Sequence, residues 1–328
     1  MQTEIFKDNW EGLERINLLC GGYRACILPE KGANIIRLLH EPSGIDILRT
    51  PSDAVALAEC PEAYGIPILF FPNRIADGSF CFDSVRYNFP VNKVEENNHI
   101  HGFLHKRAWR TVALETSADA VTAVLEFHNT PESDFYSVFP FDFTFQVSYS
   151  LSARGLEQRI SVSNRGLRKM PFGLGFHSAL NVPFGTNRNP SDFRLKVPLK
   201  ELWLRDERNL PSGEIVPLEN THQAIAGGDC NPVITPISGF YSAAANADNI
   251  AVISDISSGM SVIYEADKAY RFWVLWNDGG NSGFVCPEPQ TMMVNAFNIA
   301  MPEESTGVIS IESGGMWSAV CRLAVRFS

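Results

Sequence analysis

The chain has 328 residues, a formal net charge of −10 and 45% hydrophobic content, enough for one large or two ordinary domains with an extensive core. Its 27 basic residues form no run resembling a nucleic-acid arm or a polybasic membrane patch, so nucleic acid and anionic membranes are excluded as expected partners. No stretch approaches about 18 consecutive apolar residues, and acidic and polar side chains interrupt the first 25 residues where a signal peptide needs an apolar run, so the expected location is the cytoplasm. Seven cysteines (20, 26, 60, 81, 230, 286 and 321) are odd in number, scattered and free of any C-x-x-C pair, which fits reduced thiols rather than a disulfide frame or a zinc knuckle.

In chain order, strands are expected around 23–28 and 34–39, followed by the one segment that reads as a short helix, 54–60. The apolar run 66–71 delivers Arg74 into a turn marked by Asp77-Gly78, and further strands are expected near 85–89 and 108–115. Alternation of apolar and polar residues is clear at Val121, Ala123, Leu125 and Phe127, and again at Phe143, Phe145, Val147, Tyr149 and Leu151. From Leu156 onward, Glu157, Arg159, Ser161 and Ser163 mark a wet face. The tract from about 183 to 240, rich in Pro, Asn and Gly, reads as largely irregular, with one strand near 194–198. Strands then follow near 250–255, 260–265, 270–276 and 317–327. No βαβ alternation and no linker of biased composition occur. The expected class is all-β: a single domain over residues 1–328 built as a large antiparallel β-sandwich.

Four segments carry polar groups able to do chemistry. Arg74 is placed to hold hydroxyls with its fork of donors, or to pair with an acid and close the sheet. His99, His101 and His105 lie within seven residues, and if extended His99 and His101 share one face. That pattern suits hydrogen bonding, water contact, or a cupin-type metal site; no Asp or Glu follows over 102–109, and Lys106 and Arg107 would repel a cation, so no metal is expected. In Gly173-Leu174-Gly175-Phe176-His177, two glycines thin the strand ahead of His177, which reads as a core histidine or an acid facing a ligand. Glu288 stands between Pro287, which fixes its own backbone angle, and Pro289, which holds Glu288 extended. Such stiffness suits a catalytic carboxylate, although a rigid exposed turn would look the same. An imidazolium and a carboxylate together open a sugar hemiacetal by giving a proton to the ring oxygen and taking one from the C1 hydroxyl. Glycoside hydrolysis needs two carboxylates, and the sequence offers one well-placed acid.

Taken together, Asn73-Arg74-Ile75, His101-Gly102 with Trp109, Gly175-Phe176-His177 and Cys286-Pro287-Glu288-Pro289-Gln290-Thr291 resemble the aldose 1-epimerase (galactose mutarotase) family in order and spacing over about residues 20 to 326. Asn209-Leu210-Pro211-Ser212-Gly213-Glu214 looks like the family's Pro-Thr-Gly-Glu turn. The resemblance implies a twisted β-supersandwich with a sugar cleft on one sheet and cofactor-independent exchange of anomers. Glu288 would be the general base and His177 the general acid, with Arg74 and His101 binding hydroxyls of a small-molecule sugar. The family's further acid falls nearest Asp229, without its usual aromatic neighbour, and Asp206 competes for the role. His177-Ser178-Ala179 departs from the usual residues after the acid, and His101-Gly102-Phe103 leans toward divergent branches that include hexose-6-phosphate epimerases, where Lys106 or Arg107 would meet a phosphate. A carbohydrate-binding protein that has lost catalysis is the alternative. Trp203, Trp273 and Trp276 are each either a stacking platform for a pyranose or core.

Overall fold

In the computed structural model, which describes residues 3–327, the chain is built almost wholly from antiparallel strands. One eight-stranded sheet, the back sheet, runs in the order Arg110–Thr116, Ala120–Asn129, Phe143–Ser152, Gly155–Asn164, Met316–Phe327, Met260–Ala266, Ile250–Asp255 and Phe193–Lys196. The alternation read from the sequence is the cause: along Phe143–Ser152 every odd residue is buried and every even one partly exposed. A register slip of one residue would put the phenylalanines in water, which is why the pairing of Phe145 with Phe127 and Val162 is strongly specified.

The second large sheet, the cleft sheet, runs Pro211–Pro217, Leu199–Arg205, Ser238–Ala243, Phe272–Trp276, Phe284–Gln290, Gly175–Phe176 and Ile68–Leu69, each pair antiparallel. Its inner face packs on the back sheet. Tyr264 meets Trp273 across the layers with ring centroids 6.2 Å apart, and the Ser178 hydroxyl bonds the Tyr264 hydroxyl at 3.1 Å. The buried cluster is contiguous from Ile16 to Val325, with Phe70 ringed by Phe139, Phe143, Phe145 and Phe172 at centroid distances of 5.6 to 5.9 Å. A five-stranded sheet from Glu4–Trp10 to Ile45–Asp46 covers one end. The large antiparallel β-sandwich expected from the sequence is the fold observed.

Three local expectations need correction. Two N-terminal strands, Glu4–Trp10 and Leu13–Cys20, precede the first one expected. The tract 183–240 is more regular than expected: besides the expected strand, Phe193–Lys196, it holds Leu199–Arg205, Pro211–Pro217 and Ser238–Ala243, with helix Asn220–Gly227. Its prolines hid this, yet Pro211 and Pro217 end an edge strand, where a missing N–H costs nothing to the ladder. Helical segments also number more than the expected 54–60, which forms as Ala54–Glu59 capped by Asp53 through its carboxylate and the Ala56 N–H at 2.8 Å. All seven cysteines are free thiols, and no helix among the described residues is long and apolar enough to cross a membrane.

Candidate active site

Two prolines in a central strand are unusual, because each removes a ladder donor. The odd-numbered residues of Phe284–Gln290 turn their backbone groups toward segment 174–182. Thr291 N–H donates to the Leu174 carbonyl at 2.8 Å, and the Gly283 carbonyl accepts from Val182 N–H at 3.0 Å. Pro287 and Pro289 face that same side and have nothing to donate. The neighbouring chain accordingly pairs at Gly175, opposite Gln290, and again at Leu180, opposite Val285, but not between. There His177 N–H turns to the Pro67 carbonyl at 3.2 Å and Ala179 N–H to Gly65 at 2.9 Å. The sheet is therefore interrupted beside Glu288, and His177 enters the interruption.

Glu288 lies directly across from Val274, and Cys286 from Trp276, on the sheet's outer face. Glu288 is 1% exposed and His177 7%. His177 Nε2 is 3.3 Å from Glu288 Oε1. Burial drives the Glu288 pKa well above the usual carboxylate value, against opposing pulls from Arg74 and the Gln290 amide. Burial likewise drives the His177 pKa down to about 4, with the Glu62 carboxylate opposing. Burial thus favours a proton on Glu288 and disfavours one on His177. Glu288 Oε2, His177 Nδ1 and His101 Nδ1 are buried with no hydrogen-bond partner.

These groups line a cleft of about 670 Å³, within the range of small-molecule sites. Arg74 lies in its wall and pairs with an acid, one of the two readings the sequence left open. It pairs bidentately with Glu96 through Nε to Oε2 at 2.5 Å and Nη2 to Oε1 at 3.1 Å, while its Nη1 donates to Asn73 Oδ1 at 3.1 Å. Glu96 also accepts from Asn209 Nδ2 at 2.8 Å, so the turn 206–210 braces this pair. Arg74 first among its partners, after the opposing effect of burial, lowers the Glu96 pKa to about 2. His101 also lines the cleft, its ring 5.2 Å from that of His177. Trp276 stands edge-on to His177 at 5.7 Å.

Other expected residues are not brought there. Asp229 is exposed just beyond helix Asn220–Gly227, its N–H bonded to the Ala224 carbonyl, and it does not line the cleft. Asp206 accepts from the N–H groups of Arg208 and Leu210, both at 2.9 Å, and shapes a turn. His99 does not share a face with His101, because His101 adopts φ +65° and ends the extended run. His99 Nδ1–H instead donates to the Pro90 carbonyl at 2.8 Å, and its ring stacks on Phe103 at 4.9 Å, which dismantles the paired-histidine metal geometry. Trp203 and Trp273 are core at 2% and 0% exposure; only Trp276 reaches the cleft. Lys106 lines the cleft, whereas Arg107 pairs with Asp134 and does not.

Two acids that line the cleft were missed, Glu59 and Glu62. Glu62, in the 3-10 turn Pro61–Ala63, places Oε1 3.4 Å from His105 Nε2 and 3.5 Å from Lys106 Nζ. Burial opposes its ionisation, yet His105 and His101 hold its pKa well below the ordinary value. Cys286 joins His177 and Glu288 in a trio whose ligand atoms lie within 4.8 Å of one another. Burial and then Glu288 raise the Cys286 pKa well above its usual value, which opposes the thiolate that a divalent ion would need.

Comparison with known proteins agrees with this architecture. A solved structure of a galactose mutarotase-like protein from Clostridium acetobutylicum superposes with a TM-score of 0.95 at 33% identity, covering 99% of each chain. Protein YihR of Escherichia coli (strain K12), itself uncharacterised, is 29% identical over 201 residues, 61% of this chain. Human galactose mutarotase is 25% identical over 162 residues, 48% of this chain. The matched stretches span 59% and 44% of those two relatives, less than two thirds of either. The sequence profile of the aldose 1-epimerase family matches residues 15–324, almost the whole length, and the chain belongs to that family.

Proposed function

We infer that the protein interconverts the α and β anomers of an aldose, with Glu288 and His177 as the proton-transfer pair. The observation that carries this reading is the 3.3 Å separation of His177 Nε2 and Glu288 Oε1 at the floor of the cleft. The ring oxygen and the hydroxyl oxygen of a hemiacetal are bonded to one carbon, so the groups serving them must themselves be neighbours. In the productive form His177 is imidazolium and Glu288 carboxylate. His177 gives its proton to the ring oxygen while Glu288 takes that of the C1 hydroxyl, and the C1–O5 bond opens to an aldehyde. The pair then stands as imidazole and carboxylic acid, the distribution that burial favours in the empty site.

Rotation about C1–C2 presents the other face of the aldehyde, and the transfers run backward. One proton stays on the pair throughout, no C–H bond breaks and no electrons are transferred, so the step calls for no cofactor. Arg74 and His101 supply donors for hydroxyls. Polarimetry of freshly dissolved α-D-glucose and α-D-galactose tests the reading: acceleration over buffer by the wild type, lost in Glu288→Gln, is expected. An inert wild type on neutral and charged aldoses alike would overturn it.

A further inference from the structure

Three polar atoms beside the reacting pair have no partner, and the proton transfers above give them no role. Gln290 is 0% exposed, and neither its Nε2 nor its Oε1 has a hydrogen-bond partner; Glu288 Oε2 is buried in the same condition. Each such atom has given up hydration with nothing in return, so three of them on neighbouring side chains need a physical reason. Glu288 and Gln290 stand two residues apart on strand Phe284–Gln290 and share one face. The fold makes room for this amide. Gly175 pairs directly with Gln290, and a methyl group on that glycine would come within 2.9 Å of both Gln290 Cγ and Pro72 Cβ. Phe272 lies across from Gln290 on the other side, and Gln290 does not line the cleft.

The two oxygens of Glu288 have different surroundings. Oε1 is turned to His177, 3.3 Å from Nε2, and is the oxygen placed to take the C1 proton. Oε2 is closed to solvent. When Glu288 ionises, charge spreads over both oxygens, and Oε2 then needs a donor that the sugar cannot supply. The Gln290 amide is close enough to pull the Glu288 pKa down against burial, although it forms no hydrogen bond of ordinary geometry with it. A charged acceptor shortens and strengthens such a contact. An amide also donates without carrying charge, so it steadies the carboxylate without fixing it as one, as a lysine or arginine in that place would.

We propose that Gln290 is the positioning residue of Glu288: its amide turns to Oε2 as the carboxylate forms, and that contact sets how much of the Glu288–His177 pair stands in the ionic form that reacts. The proposal rests on the mutarotase reading of the pair. The other charged or titratable groups acting on Glu288 and its neighbours are Arg74 and Cys286, with Glu62, His101 and His105 acting around His177. The pair reacts with one proton, as imidazolium and carboxylate. Without the amide donor that proton sits more firmly on Glu288. The reacting form is then scarcer on the plateau of kcat/KM, while loss of the proton to solvent, which ends the plateau, needs a higher pH. Both changes are the same factor, so they cancel above the alkaline limb.

Polarimetric mutarotation of α-D-glucose and α-D-galactose from about pH 5 to pH 10, with buffer rates subtracted, tests this in wild type, Gln290→Met and Gln290→Glu. In Gln290→Met the plateau should fall about tenfold and the alkaline limb rise by about one pH unit, so that the two profiles converge at high pH. KM should change less than about twofold, because Gln290 does not touch the sugar. Gln290→Glu keeps the outline of the side chain and loses the donor once ionised; it should show the same pattern, and it carries the test should methionine not be accommodated. A profile lowered evenly at every pH, or one unchanged from wild type, overturns the proposal. Carbon-13 NMR of the Glu288 carboxyl, identified by its absence in Glu288→Gln, reads the same titration without turnover. It should lie about one pH unit higher in Gln290→Met than in wild type, and equal values overturn the proposal. Should the wild type accelerate no sugar, the mutarotase reading falls while this titration still decides the role of Gln290.

Discussion

Replacing Glu288 with glutamine keeps the shape of a side chain that is 1% exposed and changes only what it can do with a proton. An amide cannot accept the C1 hydroxyl proton, and general acid–base catalysis by one positioned group contributes roughly 10²- to 10⁴-fold, so mutarotation should fall by about that factor. The same substitution makes a second statement, about stability. The folded pKa of Glu288 lies well above its unfolded value because burial penalises the charge. Between the ordinary carboxylate value and that raised value the native state holds a proton that the unfolded chain has released. Wild-type stability from this group is therefore fully present below the unfolded pKa and is lost as pH rises toward the folded one; glutamine has nothing to lose. Urea unfolding at pH 4.5 and pH 7.5, alongside polarimetry, should show Glu288→Gln gaining on the wild type at the higher pH while its activity collapses. A variant that keeps its activity would refute the role assigned to Glu288, and a stability difference equal at both pH values within about 0.5 kcal/mol would refute the buried-carboxyl argument.

The histidines predict the opposite slope. His99 and His177 are both depressed by burial to about 4, so the unfolded chain takes up protons first as pH falls. Each should cost about 3 kcal/mol of stability between its ordinary pKa and that value, visible as a falling urea midpoint from pH 6.5 to pH 4 and blunted in His99→Gln. In Glu62→Gln, His177 loses a carboxylate that raises its pKa. The acidic limb of the kcat/KM profile should then move to lower pH, and a profile unchanged from wild type would remove Glu62 from the site's electrostatics. Arg74→Lys cannot reproduce the bidentate contact with Glu96, whose partners are 16% and 14% exposed. It should raise KM for any aldose about tenfold and lower stability by about 1–3 kcal/mol, measured by initial rates and urea unfolding.

Much of this was legible in local sequence because its causes are local. Alternation along Phe143–Ser152 dictates a half-buried strand whatever it packs against, and the prolines around Glu288 constrain their own backbone wherever the segment lies. Other placements were decided only by the folded chain. Nothing local in Pro287 and Pro289 says that their missing donors face a neighbouring chain, which leaves the sheet open where His177 enters; that depends on which strand lies on which side. His99 and His101 look equivalent as a pair, but one left-handed residue sends them to an aromatic cluster and to the cleft respectively. Asp229 looked closer to the needed acid than Glu62 did. Yet Glu62 arrives in the cleft on a short turn with no motif of its own, and Asp229 points into solvent beyond a helix. The chain's own alternation and proline stiffness determined the strands and the poise of Glu288. The company Glu288 keeps, His177 at 3.3 Å and Arg74 in the cleft wall, comes from contacts between segments far apart in the chain, whose geometry no nearest-neighbour preference encodes.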